Sequence, residues 1–176
     1  MTRPQTHLSL AAGLALAGAL ALATLALAAG DAPKRASAKL QSPDSKVSGS
    51  VHFTQEAGGL HVVADVSGVT PGMHGIHVHE NGVCTPPDFK SAGGHFNPGK
   101  TPHACMPTDP RHAGDFGNIT VAADGKGHLD FMLAGATLSG DASVIGKSIV
   151  LHAGQDDCTT QPSGNSGDRL ACGVIK

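Results

Sequence analysis

The sequence predicts an all-β domain, a sandwich or barrel of short antiparallel strands, on three observations. Apolar and polar residues alternate in several short runs at the two-residue period of a strand. Outside the N-terminal apolar run, no segment shows an apolar stripe at the 3.6-residue period of a helix. The 24 Gly and 11 Pro among 176 residues supply the turns that many short strands need.

The N-terminus is built differently. Met1 to Leu10 is a short polar head with one basic side chain, Arg3, and Ala11 to Ala29 runs in Ala, Leu and Gly almost without interruption. This is the pattern of a secretory signal peptide, and Ala26-Leu27-Ala28 is a small-x-small cleavage site. An uncleaved anchor is the alternative, because Leu8 to Ala29 is long enough to span a bilayer. The mild hydropathy of Ala and Gly, and the cleavage signal itself, favour removal of residues 1–28. Residues 29–37 then read as a polar linker and 38–176 as one domain. Cleavage leaves 148 of the 176 residues, enough to bury a core, with no remaining membrane contact. The formal charge moves from −2 to −3, since Arg3 is the one charge lost. A mildly acidic domain without basic or aromatic clusters excludes nucleic acid as a partner. Four Cys make an even number, and export to the periplasm or the medium permits disulfides.

The strands follow in order. Val47, Val51 and Phe53 alternate with Ser48, Ser50, His52 and Thr54, and Leu60, Val62, Ala64 and Val66 alternate again after Gly58-Gly59, which makes a hairpin. His74 to His79, Ile119 to Ala122, Gly127 to Leu133, Ser148 to His152 and Ala171 to Ile175 are the further candidates. Two stretches, Glu80 to Gly117 and Ala153 to Leu170, lack strand patterning. Loops of that length in a compact domain are usually functional, and both carry Cys and are bordered by His.

Eleven His in so short a chain require a chemical explanation. His77 and His79 are alternate residues of one strand, so their imidazoles share a face while Ile76 and Val78 can turn to the core. Alone, such a pair is weak evidence, because surface strands carry it by chance. The long loop adds His95, His103, His112 and Asp115, and His152 ends a later strand. Three His and one Asp suit a closed tetrahedral zinc site, and thiolate-free imidazole sites suit Cu(II). Six His and one carboxylate fill two sites if one His is shared, which its two ring nitrogens allow. His52, His61 and His128 fall on the polar phase of strands and read as solvated. His74 is out of step with the ligand pair and reads as a structural His bonded to backbone.

Four segments resemble copper/zinc superoxide dismutases. Gly72-Met73-His74-Gly75-Ile76-His77-Val78-His79-Glu80 is similar to the copper-binding strand of that family. Ser91-Ala92-Gly93-Gly94-His95-Phe96-Asn97-Pro98 resembles its bridging-histidine segment. Arg111-His112-Ala113-Gly114-Asp115-Phe116-Gly117-Asn118 resembles the end of its zinc loop, and the run from Gly164 to Ile175 its closing signature. The resemblance covers the chain from about Val47 onward. It implies an eight-stranded antiparallel Greek-key β-barrel, an immunoglobulin-like sandwich with two long functional loops. It implies copper on His77, His79, His95 and His152, and zinc on His95, His103, His112 and Asp115. It implies that Asp156 links a copper His to a zinc His, and that Arg169 attracts the small anionic substrate, superoxide. His95 would exchange a proton with the product.

The resemblance also pairs Cys84 with Cys172. That disulfide closes a loop of about 88 residues, for which chain entropy corresponds to about 4–5 kcal/mol before strain. Cys105 and Cys158 are not expected from the family pattern. They lie two residues past His103 and Asp156, and these shared neighbours predict a second disulfide; free or intermolecular thiols are the alternative. The loop from Ala153 to Asp168 contains no Lys, unlike the longer charged loop of many relatives, which leaves the steering field open. The interface is equally open, with a homodimer one of the assemblies the sequence allows. A non-enzymatic copper carrier or zinc reservoir, or an inactive partner-binding domain, would tolerate loss of Arg169 or of a copper ligand, and here all are present.

Overall fold

The computed structural model describes Met1 and residues 34–176. Residues 2–33, which hold most of the signal and linker readings, lie outside the described residues. The chain divides into two units, Met1–Gly30 and Asp31–Lys176, and the strands of the described residues belong to the second. The strands are β1 (Arg35–Gln41), β2 (Ser48–Glu56), β3 (Gly59–Ser67), β4 (Gly72–His79), β5 (Asp115–Val121), β6 (Lys126–Leu133), β7 (Ser148–His152) and β8 (Arg169–Val174). They close into one antiparallel barrel in the order β1-β2-β3-β6-β5-β4-β7-β8. Strands β4, β5 and β6 follow one another in space, and β7 returns beside β4, which is a Greek key. Among the described residues, helical structure is limited to a 3₁₀ turn at Lys90–Ala92.

Alternation explains the barrel. Val51, Phe53, Leu60, Val62, Ala64, Ile76, Val78, Ile119, Leu133, Ile149, Leu151 and Ile175 are all buried in one cluster. Burial of each large side chain in such a core contributes about 1.5–3 kcal/mol. Their outward neighbours are mostly polar, with Met73 on β4 and Met132 on β6 as exposed apolar exceptions. His61 and His128 lie at the surface as expected, and there each reaches across the β3–β6 ladder, to Asp130 and Asp65 respectively, at 2.7 Å.

Sequence and structure differ at the first strand. Arg35 to Ser37, read as linker, already belong to β1, so the barrel begins three residues before the domain boundary drawn at 38. Ala36, Ala38 and Leu40 point inward, a regular alternation whose small side chains give a faint apolar signal. The long loops are also shorter than read, because Asp115 opens β5 and Arg169 opens β8.

β1 closes the barrel against β8. Ser37 and Lys176 exchange backbone hydrogen bonds of 2.8 and 2.9 Å, and Gln41 pairs with Cys172. Between them the strands approach so closely that a Cβ on Gly173 would sit 2.2 Å from the Lys39 carbonyl oxygen. Gly173→Ala is therefore expected to destabilise the metal-free, disulfide-intact protein by about 1–3 kcal/mol. A thermal melt superimposable on the wild type would show that β1 does not seat there.

Candidate metal centre

β4 places His77 and His79 on the outside of the barrel because Ile76 and Val78 occupy the inside. β7 lies beside β4 with Val78 opposite Ile149 and His77 opposite Val150, and it ends at His152 on the same side. The segment after β4 then folds back on it. Phe96 N–H donates to the Val78 carbonyl (2.8 Å), Val78 N–H to Gly114 (2.9 Å) and Glu80 N–H to Gly94 (2.9 Å). Phe96 is buried in the barrel cluster, which fixes the point at which this segment is held. His95 is thereby carried over the strand, its ring stacked on His77 with centroids 4.1 Å apart.

Two groups of ligating atoms result. His77, His79, His95 and His152 form one, and His95, His103, His112 and Asp115 the other. All seven residues are buried. In the first group, each ring spends one nitrogen outside the cluster. His77 Nε2 is 2.7 Å from Asp156, His79 Nδ1 3.0 Å from the Gly93 carbonyl, His152 Nδ1 3.3 Å from the Gly167 carbonyl and His95 Nδ1 2.8 Å from Asp115. The other nitrogens are left for the cluster: His77 Nδ1 and His95 Nε2 are buried without a hydrogen-bond partner. His79 Nε2 and His152 Nε2 stand 3.3 Å apart. Four imidazole nitrogens closing on one space, with tautomers set from behind, fit a metal ion.

In the second group, three imidazole nitrogens face one carboxylate. His95 Nδ1 and His112 Nδ1 lie 2.8 and 3.2 Å from Asp115 Oδ1. His103 Nδ1 lies 3.0 Å from Asp115 Oδ2, yet outside hydrogen-bonding geometry. The donor set is three imidazoles and one carboxylate, which suits tetrahedral zinc.

Burial lowers His112 in the second group as it does the rings of the first, so charge does not divide the two groups. Burial, then the neighbouring His95, pushes His77 down to about 4 and His79 to about 2. Burial, then His77, pushes His152 down to about 3. All three are held neutral, the form that ligates metals. Burial also acts on His103, but the Asp115 and Asp156 carboxylates on its two sides overcome it and raise it to about 9. Burial would raise Asp115 and Asp156, but their imidazole partners hold both well below the usual carboxylate range.

Asp156 is fully buried and joins the two groups, with Oδ2 on His77 Nε2 (2.7 Å) and Oδ1 on His103 Nε2 (3.0 Å). Only glycine fits above it: a Cβ on Gly164 would lie 1.8 Å from Asp156 Oδ1 and 2.7 Å from His103 Nε2. Sequence reasoning missed how Asp156 is held. The Asn118 side chain accepts from the Asp156 N–H (2.8 Å) and donates to its carbonyl (2.9 Å). His74 is not a ligand; its ring nitrogens each lie 2.9 Å from a carbonyl oxygen, of His152 and of Thr70.

Two disulfides tie the loops. Cys84 joins Cys172, anchoring the segment after β4 to β8, and Cys105 joins Cys158, joining the two long loops to each other. Arg169 is held through the first of these loops, donating to the carbonyls of Phe89 and Gly93, each at 2.7 Å. It lines a cleft of about 360 Å³ with His79, His95, His152 and Ser163. Larger grooves of about 700 and 830 Å³ lie along β1 and β8 and across β2, β3 and β6, where no imidazoles converge, so volume does not mark the site.

The family described as copper/zinc superoxide dismutase (SODC) matches residues 47–175. The chain is 43% identical over 152 residues to a Cu-Zn superoxide dismutase of Deinococcus radiodurans, covering 79% of this chain and 82% of that protein. It is 39% identical over 147 residues to an extracellular Cu-Zn superoxide dismutase of Brugia pahangi, covering 78% and 73%. The crystal structure of the clock protein EA4 superposes with a TM-score of 0.76 at 36% identity, covering 82% of this chain and 94% of that one.

Asp156→Ala removes the acceptor behind both His77 and His103. Loss of such an outer carboxylate is expected to weaken metal affinity by about 10–100-fold, at both groups together. Competition titrations with a chelator that found one group weakened and the other untouched would show that Asp156 does not join them.

Proposed function

The chain belongs to the copper/zinc superoxide dismutase family, and from that premise we propose that His77, His79, His95 and His152 hold its copper, and His95, His103, His112 and Asp115 its zinc. The activity is dismutation of superoxide, 2 O₂•⁻ + 2 H⁺ → O₂ + H₂O₂, with copper and zinc as cofactors. The observation that carries the residue assignment is that His95 belongs to both groups of converging atoms. The seven ligand residues all come from one chain, so the site is complete in a monomer and in a homodimer alike.

Copper, when bound, supplies the electron exchange, accepting an electron from one superoxide and giving it to a second, whereas zinc has no redox role. The protein's own groups do the rest. Arg169 spends two N–H bonds on the carbonyls of Phe89 and Gly93, which fixes the plane of its guanidinium beside the cleft. Its remaining donors bind and orient the anion as a planar fork. His95 Nε2, a buried nitrogen with no hydrogen-bond partner on a ring that lines the cleft, is the atom assigned to hold a proton for the product. His95 Nδ1 faces Asp115, so the ring keeps its place while that proton moves.

The reading of export rests on two disulfides, which persist in oxidising compartments, and on the N-terminal signal pattern. A relative at 39% identity is named extracellular. We place the mature enzyme in the periplasm or the medium, with superoxide as its small-molecule partner.

His152→Ala removes a ligand supplied from β7 alone. Copper content and dismutation are expected to be lost while zinc is largely retained. Wild-type-like dismutation by the purified, copper-replete variant would sink the copper assignment.

Arg169→Ala tests substrate capture. Formal charge −3 on the mature chain repels an anion slightly, so a local positive field must act at the cleft, and steering of this kind raises on-rates by roughly 10–10³. Stopped-flow rates are expected to fall substantially and to lose part of their dependence on ionic strength, because salt screens exposed charges beyond about 10 Å at 0.1 M. Arg169→Lys should retain part of the rate through charge alone. An unchanged rate and salt slope for Arg169→Ala would place the capturing charge elsewhere.

A further inference from the structure

His103 sits in no strand, and the nearest tie to one is at its neighbour Ala104, whose N–H donates to the Asp115 carboxylate at the start of β5 at 3.2 Å. His95 is tied to β4 through the backbone beside it, Asp115 opens β5, and His112 is bonded to Asp115, its carbonyl accepting the Asp115 N–H at 3.2 Å. His103 stands in an irregular stretch between Thr101 and Ala104. A ligand placed there needs its backbone fixed by something other than a ladder.

The side chain of Gln161 supplies this. Its Oε1 accepts the His103 N–H at 2.8 Å, and its Nε2 donates to the His103 carbonyl at 2.8 Å. One planar carboxamide thus pairs with both backbone groups of one residue, as a neighbouring strand would. Gln161 makes no hydrogen bond to any imidazole, and its side chain is solvent-exposed. Its effect on His103 therefore passes through the backbone. The loop that carries Gln161 also carries Asp156, whose Oδ1 meets His103 Nε2 at 3.0 Å. The same loop is bonded covalently to the zinc loop through Cys105–Cys158, two residues beyond His103. His103 is therefore gripped from that loop at its ring, at its backbone and just downstream.

We propose that Gln161 is a positioning residue of the zinc site, holding His103 in ligating orientation by the paired hydrogen bonds on its backbone and slowing zinc release. This rests on the assignment of zinc to His95, His103, His112 and Asp115. The role is specific to one site: the Gln161 side chain hydrogen-bonds to the backbone of His103 and of Thr159 and to no copper-group residue, so zinc retention should respond and copper retention should not. Cys105–Cys158 holds the same two loops together, so the two fastenings should be coupled rather than independent.

The test uses the full, copper- and zinc-loaded protein with Gln161→Met, which removes both hydrogen bonds at similar volume, and Gln161→Glu, which keeps the acceptor and loses the donor. Release of zinc and of copper to a chelator is followed separately, and cobalt(II) bound in place of zinc reports the ligand geometry by its visible spectrum. Zinc release is expected to rise about 5- to 30-fold in Gln161→Met and less in Gln161→Glu, with an altered cobalt spectrum and unchanged copper release. In a Cys105→Ser/Cys158→Ser background, the Gln161→Met effect should grow. Zinc release and cobalt spectrum unchanged in both backgrounds would overturn the role, as would equal acceleration of both metals, which would mean general loosening. A wild-type protein that bound no zinc at these four ligands would undo the zinc assignment, and this proposal with it. If Gln161→Met fails to fold, the comparison of Gln161→Glu with wild type decides alone.

Discussion

A carboxylate with no access to water organises this molecule. Asp156 is fully buried, and a buried charge is costly unless every lone pair is met. Here the demand is met by His77 on one oxygen and by His103 and the Cys158 N–H on the other, while Asn118 on β5 holds the backbone. These partners come from β4, the zinc loop and the loop before β8. Two otherwise irregular loops are thereby registered against the barrel, and one ring in each metal group has its tautomer chosen for it. Loss of Asp156 itself therefore frees His77 and His103 together.

The barrel's contribution is rigidity on one face. β4 and β7 are buried on both sides, with aliphatic side chains inside and His77, His79, Val150 and His152 outside under the loops. Beside the histidines, Phe89, Ala92, Val150 and Cys172 form a second, smaller apolar cluster with Cys84 packed on it. That cluster and the Cys84–Cys172 disulfide fix the segment whose Phe89 and Gly93 carbonyls hold Arg169. Core packing thus reaches the Arg169 guanidinium through two backbone carbonyls.

Charge at the cleft is local. Arg169 also lines an adjoining cleft of about 460 Å³ with Asp88, Lys90 and Asp168. Lys90 stands 3.4 Å from Asp88, and both are well exposed, so their fields largely cancel and are screened at a distance. What remains for an approaching anion is the guanidinium, half-buried and held between carbonyls. The loop from Ala153 to Asp168 contains no lysine, so no broad basic rim accompanies that guanidinium from this side.

Much of this was legible in the residues alone. Period-two alternation disclosed β2 and β3, because a half-buried strand must alternate, five further strands read as short runs between turn residues, and His77-x-His79 within one of them placed two imidazoles on one face. The ligand types were legible because metals select donor atoms, and a donor atom is a property of a side chain. β1 escaped notice because Ala36 and Ala38 bury little apolar surface beside a polar leader; only its pairing with β2 and β8 makes it a strand. The tertiary structure alone decided that His95 faces both groups, that Asp156 joins them, and that the carboxamides of Asn118 and Gln161 hold Asp156 and His103 by the backbone. The last two contacts span 38 and 58 residues, and nothing in an Asn or Gln specifies which distant peptide it will meet. Donor chemistry and strand period are local and are written in the sequence, whereas a side chain's hold on a remote backbone exists only once long-range packing has brought the two together.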